Sequence, residues 1–100
     1  MATMPPCYIV GDVEVTNPER YKDYTAHTET TLEPFGGRFI VRGGDKEILE
    51  GAWRPNRLVV IEFPDLATAK TFYESEHYES AKKLREGAAK LSMVAVQGIE

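Results

Sequence analysis

Two Gly-Gly pairs, Gly36-Gly37 and Gly43-Gly44, bracket a short run, Arg38-Phe39-Ile40-Val41-Arg42. Glycine tolerates the backbone conformations that end helices and bend strands. The first pair, with Pro34, stops a preceding helix. The second allows a bend or bulge. Between them the chain reads as a strand. Side chains alternate along a strand, so Arg38, Ile40 and Arg42 are expected on one face and Phe39 and Val41 on the other. Two guanidiniums on a packed face require acidic partners or an anionic ligand.

The remaining elements follow from periodicity. Cys7 to Val15 alternates as a strand, with Ile9, Val13 and Val15 on one side and Tyr8, Val10, Asp12 and Glu14 on the other. Asn17 reads as an N-cap, Pro18 as the first helical residue and Glu19 as a partner for the helix dipole. The helix predicted from there to about Leu32 carries the stripe Tyr21, Tyr24, Thr28, Leu32 and Phe35. Lys46 to Glu50 reads as a strand continuation and Gly51 to Asn56 as a loop holding Trp53. Arg57 to Phe63 is an apolar strand with the character of a central one. Asp65 caps a helix from Leu66, with Leu66, Ala69, Phe72 and Tyr73 on its buried side. Ser75 is expected to break that helix and restart it. The second segment is predicted to bury His77, Ala81, Leu84, Ala88 and Leu91. A last strand is predicted over Ser92 to Ile99.

The order β-α-β-β-α-β predicts an α+β, ferredoxin-like fold: a four-stranded antiparallel sheet with two helices on one face. The 100 residues make one domain, 7–100, after a disordered lead at 1–6. Both sheet faces carry apolar residues. The helix-free one, with Leu58, Val60, Val94 and Val96, predicts a homodimer whose sheets face each other. That face is expected to hold Asp12, Glu14, Glu62, Arg38 and Arg42 as well. They form either an ion-pair network or a polar pocket for a small acidic or carbonyl ligand.

A net charge of −4 argues against a nucleic-acid partner. No apolar run of membrane-spanning length occurs. The start of the chain does not read as a secretory signal. The single cysteine, Cys7, reads as a buried hydrophobe and fits a cytoplasmic location. The two histidines, His27 and His77, and the scattered carboxylates give no metal-ligand spacing, so neither a metal nor another cofactor is expected.

Four stretches carry a resemblance: Gly-Gly-Arg-Phe-Ile-Val-Arg-Gly-Gly at 36–44, Gly-Ala-Trp-Arg-Pro-Asn-Arg at 51–57, Val-Ile-Glu-Phe-Pro-Asp at 60–65 and Phe-Tyr-Glu-Ser-Glu-His-Tyr at 72–78. Together they closely resemble the domain-of-unknown-function family numbered 1330, within the dimeric α/β-barrel superfamily. The resemblance spans roughly Tyr8 to Ile99. It implies the same protomer and dimer, and no established reaction. Superfamily relatives include muconolactone isomerases, cofactor-free monooxygenases, haem-degrading enzymes and stress-response proteins. The family pattern resembles this chain at Arg38, Arg42, Trp53, Arg57, Glu62, Tyr73, Tyr78 and Arg85, and departs from it at His77.

Two functional readings result. In the first the chain is a cofactor-independent small-molecule enzyme, isomerase-like or monooxygenase-like, or a binder of a small anionic or carbonyl compound between sheet and helices. Arg38, Arg42 and Arg57 would hold the anionic oxygen, with Trp53, Tyr78 and Arg85 as further ligand contacts. Glu62 or His27 would move a proton. In the second the chain is a non-catalytic dimeric structural or stress-associated module, and the arginines serve the interface.

Overall fold

A computed structural model describes residues 4–99. The chain runs β1 (Cys7–Val15), α1 (Pro18–Leu32), a 3-10 turn (Glu33–Phe35), β2 (Arg38–Arg42), β3 (Arg57–Phe63), α2 (Leu66–Glu74), α3 (Glu76–Leu84) and β4 (Ala89–Gln97). The four strands form one antiparallel sheet in the order β2-β3-β1-β4. This is the expected α+β arrangement. Of the lead, Met1 to Thr3 lie outside the described residues. The Pro6 carbonyl accepts a hydrogen bond from Gly98 N–H.

Local chemistry sets the helix ends. The Asn17 side chain accepts from Arg20 N–H and Pro18 follows it, so α1 starts where both rules place it. Gly36, at φ 69°, takes the left-handed conformation that ends the 3-10 turn. Gly37 meets a different demand: a Cβ there would lie 2.7 Å from the Phe63 ring. Asp65 caps α2 through Thr68 N–H, and Ser75 caps α3 through Tyr78 N–H. The predicted break at Ser75 therefore divides the second helical stretch into two helices.

The core lies between the helices and one sheet face. Cys7, Ile9, Val13, Val59, Ile61 and Phe63 rise from the sheet. Tyr21, Tyr24, Leu32, Ala69, Phe72, Tyr78 and Ala81 descend from the helices. Phe72 packs against Phe35, Phe63 and Tyr78, with ring centroids 4.8–5.6 Å apart. The Tyr24 and Tyr78 hydroxyls share a buried 2.8 Å hydrogen bond that ties α1 to α3. Burial, and secondarily its neighbour Tyr78, pushes the Tyr24 phenol well above its ordinary range.

Three expectations are corrected. Residues 46–50 form a loop and not a strand. The last strand begins at Ala89 and ends at Gln97, because α3 stops at Leu84 and Gly87 turns the chain at φ 74°. His77 is exposed, edge-on to Phe35, and not part of the buried stripe. Tyr78, one position on, fills the core in its place.

Candidate functional site

The bulge in β2 governs where the arginines go. Arg38 pairs with Glu62 and Phe39 with Ile61, then the register slips, so that Val41 pairs with Val60 and Arg42 with Val59. Ile40 is the extra residue. An extra residue inverts the alternation beyond it. Arg38 and Val41 thus share the helix-free face, while Phe39 and Arg42 turn towards the helices. The expected grouping of Arg38 with Arg42 on one face is incorrect for this reason.

Each arginine then has its own surroundings. Arg38 Nε donates to Glu62 Oε1 at 2.8 Å on the helix-free face. Glu62 is therefore held by Arg38 and not by Arg42. Arg42 pairs with Glu29 on α1, donates to the Thr25 carbonyl at 3.0 Å and lies 4.2 Å over the Phe39 ring. Arg57 stands opposite Val13 on the helix side, and its Nε is buried without an acceptor. Arg85 caps the C-terminus of α3, lies 5.7 Å over the Tyr24 ring, and also has a buried Nε without an acceptor.

The other expected site residues separate widely. His27 is exposed on α1, where Nδ1 donates to the Asp23 carbonyl one turn back. Trp53 is 62% exposed in the long loop, and its Nε1 donates at 3.4 Å to Asp12. Asp12 also accepts from Asn56 N–H at 2.9 Å, so one carboxylate fastens that loop to the helix-free face. Tyr78 is fully buried.

One cleft draws some of these groups together. It lies between α2 and the edge strand β4, with a volume of about 360 Å³, within the size range of small-molecule sites. Ile9, Ala69, Leu91, Met93 and Ala95 give it an apolar lining, and Lys70, Tyr73, Glu74 and Arg85 bring polar groups to it. Tyr73 accepts a 3.1 Å hydrogen bond from Lys82, which raises the lysine above its ordinary value. Of the expected site residues only Arg85 lines this cleft; Glu62, His27, Arg38, Arg42, Trp53, Arg57 and Tyr78 do not. Sequence reasoning missed Lys70, Tyr73 and Lys82 as wall and support. Helical period places Tyr73 on the buried side of its helix, but the break at Ser75 leaves it 38% exposed. The signal that could have found it is the Tyr73–Lys82 spacing read across that break.

No curated protein matches the sequence. Among solved structures the chain is similar to RPA0582, a protein of unknown function from Rhodopseudomonas palustris. That match has 18% identity and a TM-score of 0.75 over 96% of this chain and 84% of that one. It is also similar to SnoaB, a cofactor-independent oxygenase from Streptomyces nogalater. There the identity is 12% and the TM-score 0.66, over 96% of this chain and 95% of that one. At these identities the likeness establishes the fold. The pattern of the domain of unknown function DUF1330 matches residues 6–99, and with nearly its whole length so matched the chain belongs to the DUF1330 family.

Proposed function

We propose that the α2–β4 cleft binds a small anionic or enolisable carbonyl compound, and that the protein acts on it without a cofactor. The observation that carries this is Arg85: a guanidinium nitrogen out of solvent, without an acceptor, at a cleft of ligand size. A buried donor left unpaired is costly, and a guest oxygen would satisfy it. Isomerisation and cofactor-independent oxygenation share a first step, removal of a proton to give an enolate. Arg85 would stabilise the developing negative charge, and the Glu74 carboxylate, the one carboxylate lining the cleft, would take the proton, directly or by relay through the Tyr73 hydroxyl. The fold shared with SnoaB supports the oxygenase variant by analogy alone. Glu62 and His27 are set aside as proton carriers, since neither lines the cleft.

The test is proton exchange. Enolisable keto acids and hydroxylated aromatic ketones, incubated with the protein in D₂O, are expected to lose their α-proton signal by NMR faster than in buffer. Arg85→Met is expected to slow this about 100-fold. Exchange equal to the buffer rate across such a panel, with no ligand raising the melting temperature, would remove the enzyme and binder readings together.

We further propose that the helix-free face pairs two copies of the chain. In support, Val41, Val60, Val10 and Val94 align in one row across all four strands. Val94 and Val96, on β4, are 59% and 49% exposed, and Val41, on the opposite edge strand, 40%. Monomers seldom leave such a face in water. The Arg38–Glu62 pair at its border fits the alternative role of a register-setting interface. The cytoplasmic location belongs to the same proposal, supported by the buried free thiol of Cys7, which burial pushes up and keeps unreactive.

A further inference from the structure

Behind α1 lies a second, much smaller cavity, of about 20 Å³. That is room for a guest the size of one water molecule. Arg42 and Arg57 line it together with Tyr21, Tyr24, Thr25 and Thr28 of α1 and apolar side chains of the sheet, and no carboxylate does. Arg57 has no hydrogen-bond or ion-pair partner among the described residues, and its Nε is sealed from solvent. We propose that this cavity is a binding site for a monatomic anion of halide size, held by Arg57.

Charge and size together select the guest. Arg42 already has Glu29 on its outer side, so the uncompensated charge at the cavity belongs to Arg57. Arg57 is only partly buried, so solvent meets part of its charge from outside; at the sealed Nε an anion would satisfy the N–H and the charge together, where a water molecule satisfies the N–H alone. Carboxylates and phosphates meet the charge but exceed the space. A halide satisfies both. Tyr21 also lines the cavity, and its hydroxyl makes no hydrogen bond among the described residues. Burial holds that phenol above its ordinary value, so it keeps its proton, although Arg57, and more weakly Arg85 and Arg42, oppose the shift. Thr28 is already committed to the Tyr24 carbonyl at 2.6 Å.

The seat of the arginine is built by the backbone. Gly43 turns at φ 69°, and a Cβ there would fall 2.8 Å from Arg57 Cζ and 2.9 Å from Nε. The guanidinium therefore lies directly on the turn that ends β2. Leu91 and Met93 line both this cavity and the α2–β4 cleft. The anion would sit behind a wall of that cleft without entering it, and the inference does not depend on what the cleft binds.

The experiment exchanges sodium gluconate for sodium chloride or bromide at constant ionic strength and follows thermal unfolding. Wild type is expected to gain about 5 °C once halide exceeds its dissociation constant about fivefold, with sulfate giving no gain. Arg57→Met should lose the gain and Arg85→Met should keep it. Crystals grown in bromide should show anomalous density within hydrogen-bond reach of Arg57 Nε. An equal gain in Arg57→Met and wild type overturns the proposal, as does loss of the gain in Arg85→Met. Should Arg57→Met fail to fold, the bromide density decides: a peak at Arg57 supports the site, and a water there overturns it.

Discussion

At the residue scale, single atoms decide whether local rules can be obeyed. Gly37 carries no steric freedom to spare, because its missing Cβ is the space the Phe63 ring occupies. Gly37→Ala is expected to destabilise the protein by about 1–3 kcal/mol, through overpacking, measured by urea unfolding at unchanged slope. Asp65 shows the electrostatic side. Its carboxylate accepts the Thr68 N–H at 2.7 Å, and that bond holds its pKa below the ordinary value. A depressed carboxylate stabilises the folded state above its unfolded pKa, and that contribution is lost as the pH falls through the folded one. Asp65→Asn keeps the cap but does not titrate. Thermal unfolding is expected to show a shallower loss of stability for this variant below about pH 4, with little change at pH 7.

At the scale of elements, α1 and α3 are joined through Tyr24 and Tyr78, and β2 is redirected by its bulge. Removing one hydroxyl of the tyrosine pair leaves the other buried without a partner. Tyr24→Phe and Tyr78→Phe should each cost about 1–3 kcal/mol. The double variant should cost less than their sum, a coupling that a double-mutant cycle measures. The bulge explains why the arginine strand could not be read by alternation. Nothing in Arg38-Phe39-Ile40-Val41-Arg42 marks Ile40 as extra. Pairing with β3 selects it, because Phe39 and Arg42 both gain partners on the helix side: Ile61 for the ring, Glu29 and Thr25 for the guanidinium.

At the scale of the whole molecule, the sheet has one face filled by helices and one that no helix covers among the described residues. The aligned valines and the loop apolars Leu49 and Trp53, 90% and 62% exposed, surround the uncovered side. No described helix is long and apolar enough to cross a membrane, so that surface has no bilayer-spanning helix to explain it. A second copy of the chain meets the requirement with a closed interface. Light scattering is expected to give about twice the chain mass of 11.2 kDa. Val60→Asp, at the centre of the valine row, is expected to reduce it to that of the single chain while retaining the helical signal. A monomeric wild type at micromolar concentration would remove the dimer.

The sequence by itself determined the order of the elements, their caps and the core face of α1. Asn17, Asp65, Ser75 and Gly36 act within a few residues, and the stripe Tyr21, Tyr24, Thr28, Leu32 is fixed by helical period alone. Such effects are local, so a linear reading reaches them. The tertiary structure decided the rest. Which side of the sheet Arg42 occupies depends on a register slip set by another strand. That Glu62 is held by Arg38, and that the acceptor-free arginines are Arg57 and Arg85, depends on packing between residues far apart in the chain. The Gly-Gly bracket marks where the strand begins and ends. It carries no information about which arginine is left without an anion, because that balance of charge exists only once the helices lie on the sheet.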